Sequence, residues 1–300
     1  MRLISFADPA GAPRLGIVID GRVFAANALS EHAPSDMAGL LAAPEPLVAE
    51  LASAAASAAA SSDPSSGVPL DAVRLLAPVP APGKIVAIGR NYADHAAEEG
   101  TAAPAAPLVF AKFPSSVVGS GAEVRWDPAL TAQVDYEAEL GVVIGRRASR
   151  VAESEALDYV LGYTCLNDVT ARDLQFGDGQ WVRGKSLDTF CPMGPWLVTP
   201  DELGDPGDLR ITCTVNGAVV QDDRTSSMFH GVARIISHCS QAFTLLPGDV
   251  IATGTPAGVG IFRKPPLLLG DGDVMVVSIE GIGDLVNTCR FTPAQEVTRE

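Results

Sequence analysis

Short apolar runs separated by Gly, Pro and Asn breaks fill most of this chain, a pattern of strands and tight turns. Apolar residues alternate or cluster over 2–7, 14–19 and 22–26, which predicts a small β-meander. Helices are expected at about 36–43 and 45–59, the second rich in alanine. The composition then shifts: SSDPSSGVPL reads as a Ser/Pro/Gly linker. A domain boundary is therefore placed near residue 70, with a small N-terminal accessory domain over 1–70 and a larger domain over 71–300.

From Lys84 onward strand signals dominate, in KIVAIG, PLVFAKF, DYEAELGVVIG, YVLGYTCLN, GPWLVT, LRITCTVN, GDVIATGT and DVMVVSIEGIG. Asn216-Gly217 between two such runs predicts a hairpin turn. One amphipathic helix is expected in SSMFHGVARIISHCSQAFTL, with His230 and His238 on it in structural roles. Many strands and few helices predict a β-rich mixed α+β architecture, rolled or barrel-like.

At 300 residues and 47% hydrophobic, the chain has material for a sizeable core. A net charge of −15 argues against nucleic-acid and anionic-membrane partners. Five scattered cysteines, without a CxxC pair, fit reduced and buried thiols. The N-terminal run lacks a long apolar segment, and no stretch offers the roughly 20 uncharged apolar residues that span a bilayer. A cytoplasmic location is the expectation.

The chemistry starts from carboxylates. If DYEAELGVVIG is one strand, Asp135, Glu137 and Glu139 share a face. Like charges side by side repel and are costly to bury without a cation between them. Oxygen-only ligands suit a hard ion such as Mg²⁺, Mn²⁺ or Ca²⁺. Asp168, at the end of the YVLGYTCLN strand, is placed to join them.

GTPAGVG has the wrong spacing for a dinucleotide fingerprint, and no Walker loop, HExxH or GxSxG occurs. His95 and Glu98 stand three apart on an expected helical turn, so the carboxylate can orient the imidazole; a charge-stabilised surface pair is the plain alternative. Arg172 suits bidentate binding of a substrate carboxylate, against the alternative of a salt-bridged turn. Lys185 lies in a polar loop, as an enolate-neutralising cation or a surface lysine. Thr253 to Pro256 end a strand with hydroxyls and amides that suit an anionic oxygen, or form an empty turn.

Together YADHAAE, DYEAELGVVIG, NDVTARDLQ, RGKSLDTFCPMGPW and VIATGTPAGVG resemble the fumarylacetoacetate hydrolase family, in the family's motif order from about residue 80 onward. The resemblance implies a β-roll catalytic domain, usually homodimeric. It implies metal binding by Glu137, Glu139 and Asp168 with Mg²⁺ or Mn²⁺, and general base work by His95 and Glu98. Candidates for substrate contact are Arg90, Tyr92, Arg172, Gln175 and Thr255, with Lys185 as a catalytic cation. The fumarylacetoacetate-cleaving branch carries a fourth acidic ligand upstream of its histidine, where this chain offers Asn91. The His-x-x-Glu spacing is closer to the acylpyruvate hydrolase and oxaloacetate decarboxylase branch. The implied reaction is metal-dependent hydrolysis of the C3–C4 bond of a 2,4-dioxo acid, releasing pyruvate enolate. Oxaloacetate decarboxylation, or isomerisation or dehydration of a 2-oxo acid, would use the same site. A non-catalytic binding protein on this fold is the competing class. A lid is expected around residues 96–107, punctuated by Gly100, Pro104 and Pro107.

Overall fold

The computed structural model describes residues 1–43, 46–60 and 67–292. Residues 61–66 of the expected linker lie outside them. The N-terminal meander forms as expected, in β1 (Arg2–Ala7), β2 (Pro13–Ile19) and β3 (Arg22–Ala25). Two helices follow, Met37–Ala42 and Pro46–Ala60. Asp36 caps the first by accepting the Gly39 N–H at 2.8 Å.

The strands that carry the site are β4 (Ile85–Gly89), β5 (Leu108–Lys112), β6 (Ala138–Ile144), β7 (Val160–Asn167), β8 (Cys191–Val198) and β9 (Val250–Ala252). They belong to one twelve-stranded sheet whose main path runs from the short strand Val68–Pro69 through β3, β2, β1, β8, β7, β6, β9, β4 and β5. β1 pairs with β8 through Arg2↔Val198 and Leu3↔Leu197, so the meander continues the same sheet. A five-stranded sheet packs beside it, built from Glu123–Trp126, Arg210–Val215, Ala218–Arg224, Val274–Ile279 and Gly283–Phe291. The Asn216-Gly217 turn joins two of its strands, with both residues at positive φ, as a two-residue hairpin requires.

Residues of β6 are buried throughout, because the sheet is covered on both faces. Leu140, Val142 and Ile144 enter the core shared with the second sheet, and Val143 enters the core beneath the N-terminal helices. The result is a strand-rich mixed α+β architecture, as the pattern predicts. Among the described residues no helix is long and apolar enough to cross a membrane.

Three local expectations need correction. The run from Asp135 to Ile144 is not one strand: Val134–Asp135 and β6 are separate, with Tyr136 and Glu137 between them. Lys185 is not in an open loop but ends a helical turn, and it is buried. The amphipathic helix starts only at Val232, so His230 precedes it, while His238 is on it. The His230 N–H is held by Asn91 Oδ1 at 3.0 Å, and its ring meets the Pro104 carbonyl at 3.1 Å.

Candidate active site

Three helical segments bring the remaining chemistry to the sheet: α1 (Ala93–Glu98), α2 (Arg172–Asp178) and α3 (Val182–Lys185). At the start of β6 and the end of β7, Glu137, Glu139 and Asp168 converge. One ligand oxygen from each lies within 4.8 Å of the others, and all three side chains are buried. Main-chain bonds hold the junction: the Asp168 N–H donates to the Glu137 carbonyl at 2.9 Å, and the Glu137 N–H donates to Asn167 Oδ1 at 2.9 Å.

The charges are only partly balanced by the protein. Lys185 Nζ lies 2.7 Å from both Glu137 Oε2 and Asp168 Oδ2. Lys112 Nζ lies 2.7 Å from Asp168 Oδ1. Arg172 pairs with Glu137 Oε1 at 2.7 Å. Among the described residues no such cation pairs with Glu139; it accepts the Gly254 N–H at 2.8 Å. That approach requires glycine, since Gly254 has φ +100° and a Cβ there would lie 2.7 Å from the Asn91 Cβ.

Ionisation follows this division. Burial would raise Glu137, but the Lys185, Arg172 and His95 charges outweigh it and hold the carboxyl well below its usual range. Glu139 is pushed well above the usual range, by burial first and then by the Asp168 and Glu137 charges. A hard divalent cation would draw on such a set of carboxylate oxygens, which lie within 4.8 Å of one another. It would also relieve the carboxylate that lacks a counter-charge. The donor set therefore fits Mg²⁺ or an ion of similar hardness.

Asp135, the third acid of the run, turns elsewhere. It accepts the N–H groups of Gly260 and Ile261 at 2.7 and 3.0 Å and the Arg172 Nε–H at 2.9 Å, and it forms an ion pair with a terminal nitrogen of Arg172 at 2.9 Å. Asn91 is likewise structural: its side-chain amide donates to the carbonyls of Thr253 and His230 at 2.7 and 2.9 Å.

His95 is buried on α1 between two carboxylates. Its Nδ1 is 3.4 Å from Glu98 Oε2, and its Nε2 is 3.2 Å from Glu99 Oε1. Glu98 in turn accepts the Gly258 N–H. Burial opposes the charged ring, but the bonds to Glu98 and Glu99 and the charge of Glu137 outweigh it and hold His95 at about 9. Burial would raise Glu99 too, yet its bonds to His95 and Arg90 bring it to about 2. Near neutral pH the ring therefore starts as an imidazolium.

A narrow pocket of about 20 Å³ opens onto these groups, lined by His95, Glu137, Glu139, Arg172, Lys185 and Thr255 among others. Arg90 and Gln175 also line it, whereas Tyr92 is wholly buried and does not. Burial, then the Glu139 and Asp223 charges, push the Tyr92 phenol far up. Thr255 Oγ1 accepts a hydrogen bond from Gln221 at 2.8 Å. Sequence reasoning missed four residues: Lys112, Glu99, and the aromatic wall of Phe110 and Trp181, whose rings meet edge-on with centroids 5.2 Å apart. A lysine in the apolar run PLVFAKF was the available signal for the first.

The family model described as "Fumarylacetoacetate (FAA) hydrolase C-terminal" matches residues 84–290. A mitochondrial oxaloacetate tautomerase of Bos taurus is 41% identical over 292 residues, 96% of this chain and 91% of that protein. A 2-hydroxyhepta-2,4-diene-1,7-dioate isomerase from Mycobacterium marinum superposes with a TM-score of 0.74 at 38% identity, over 97% of this chain and 99% of that one. A maleylpyruvate hydrolase from Sphingobium sp. SYK-6 does so with a TM-score of 0.78 at 31% identity, over 97% of this chain and 100% of that one.

Proposed function

The chain belongs to the fumarylacetoacetate hydrolase family, and on that footing we propose that it is a divalent-metal-dependent enzyme that enolises a short 2-oxo acid, with oxaloacetate tautomerisation as its reaction. The observation that carries this is a three-carboxylate cluster of which Glu137 and Glu139 line one small pocket together with the Lys185 ammonium and the buried His95 ring. A divalent ion, when bound by Glu137, Glu139 and Asp168, supplies Lewis-acid stabilisation of negative charge on the substrate's oxygens. Lys185 adds positive charge beside the same position. His95 exchanges the proton at C3: as imidazolium it protonates the enolate carbon, and in the reverse direction it withdraws that proton. Glu98 and Glu99 orient the ring from both sides.

C3–C4 hydrolysis of acylpyruvates is the second reading. It is favoured by the His95–Glu98 pair, which suits activation of a water, and by the likeness to the maleylpyruvate hydrolase. Both readings are tested by following the ultraviolet absorbance of enol-oxaloacetate and of acetylpyruvate, with Mg²⁺ or Mn²⁺ and with EDTA. Metal-dependent loss of the enol without loss of acetylpyruvate supports the tautomerase. Metal-dependent loss of acetylpyruvate supports the hydrolase, and turnover of neither overturns both.

A homodimer and a cytoplasmic setting complete the proposal. Exposed Leu108 and Val109 on the edge strand β5 support pairing of subunits, and five free, buried cysteines suit a reducing compartment. The accessory role of residues 1–70 is part of the same proposal.

A further inference from the structure

We propose that Arg90 reads a second carboxylate on the substrate, so that the pocket selects short 2-oxo dicarboxylic acids over 2-oxo acids with an apolar far end. The proposal rests on the 2-oxo acid reading above.

Two arginines line the pocket, and they differ in what they have left to offer. Arg172 spends its guanidinium on Asp135, Glu137 and Gln175 and is buried. Arg90 donates from Nε to Glu99 Oε2 at 2.6 Å, and its two terminal nitrogens have no partner among the described residues. Its side chain is 34% exposed, so the open end of the fork meets the solvent that a ligand would displace. A planar fork with two parallel donors is the group that matches a carboxylate bidentately.

The fork is also held in place. The guanidinium lies 5.5 Å above the Trp181 ring, and Glu99 fixes its Nε. The preceding Gly89 lets Trp181 approach, since a Cβ there would come within 2.5 Å of the indole. Arg90 itself has φ +57°, a left-handed conformation that a non-glycine residue adopts at a cost and that gathers at functional sites.

The aromatic wall touches two cations. Trp181 meets Phe110 edge-on, and Lys185 Nζ lies 5.4 Å from the Phe110 centroid. Arg90 thus packs on one ring of this edge-on pair and Lys185, which contacts Glu137 and Asp168, on the other. An acid whose 2-oxo end sits at Lys185 lays its carbon chain along this wall and brings its far end to Arg90.

The test is proton exchange at C3, followed by NMR in D₂O with Mg²⁺, for oxaloacetate and for 2-oxobutyrate, which has a methyl group in place of the second carboxylate. The readout is the ratio of kcat/KM for the two acids, because any effect of Arg90 on His95 through Glu99 enters both and cancels. Wild type is expected to favour oxaloacetate, and R90Q to lower the ratio by roughly ten- to a hundredfold, as loss of a charged hydrogen-bonding partner does. R90K, which keeps the charge but not the fork, is expected to fall between the two. An unchanged ratio in R90Q, or in R90K if R90Q does not fold, overturns the assignment while leaving the 2-oxo acid reading intact. Exchange of neither acid by wild type overturns that reading and the assignment with it.

Discussion

Lys112 Nζ lies 2.7 Å from Asp168 Oδ1, and neither side chain reaches solvent. The strand that carries this lysine exposes Leu108 and Val109 instead, the reverse of what an isolated apolar strand would do. The lysine occupies one oxygen of Asp168 and leaves the other toward Glu137 and Lys185. Lys112→Met should destabilise the protein by about 3–5 kcal/mol, because a buried carboxylate loses a partner. Urea unfolding measures this.

Lys185→Met removes the ammonium that bridges Glu137 and Asp168. Turnover should fall at least about a hundredfold, as for loss of a preorganised positive group. The rise in melting temperature on adding Mg²⁺ should become larger than in wild type, because the ion then meets carboxylates without their resident cation.

Glu139→Gln should act in opposite directions on fold and function. Glu139 is pushed up by burial and by the Asp168 and Glu137 charges, so its ionised form near neutral pH opposes folding. The amide is neutral and still accepts the Gly254 N–H. In EDTA the variant should therefore melt at or above the wild-type temperature, yet lose the stabilisation that Mg²⁺ gives. A lower melting temperature in EDTA would contradict this account of the site.

His95 makes stability depend on pH in the alkaline range. Its folded value of about 9 lies above the ordinary 6.5, so its contribution is fully present below 6.5 and is lost as pH rises through 9. By the shift alone this is up to about 3 kcal/mol. Unfolding free energies between pH 6 and 10 should fall accordingly, and His95→Gln should flatten that part of the curve.

Glu99→Gln tests the second carboxylate on the ring. Glu99 bonds to His95 and thereby raises it, so the variant should titrate at lower pH. Imidazole NMR signals should report the fall directly. The alkaline limb of the proposed tautomerisation should shift the same way, while Glu98→Gln keeps the Glu99 contact.

Much of the fold was legible because it is written in local periodicity. The meander, the alanine-rich helix, the Asn216-Gly217 hairpin and the strands from Lys84 onward each follow from neighbours a few residues apart. Glu137 and Glu139 do converge as alternation predicts, although Glu137 lies just before β6, and the turn after β7 supplies Asp168. The same alternation misassigned Asp135, because the chain breaks strand geometry at Tyr136 and Glu137 and turns that acid toward Arg172 and Gly260.

By itself, then, the sequence determined the element types and the three carboxylates that want a cation, since both depend on short-range spacing and on the cost of burying like charge. Only the tertiary structure decided how that charge is balanced. Lys112 and Lys185 reach Asp168 from two different segments, the Gly254 amide reaches Glu139 from a third, and Glu99 turns a pair at His95 into a triad tied to Arg90. Such pairings join residues as much as 115 positions apart. No periodicity encodes them, because they arise when the sheet and its flanking helices pack and exclude the water that would otherwise solvate each charge.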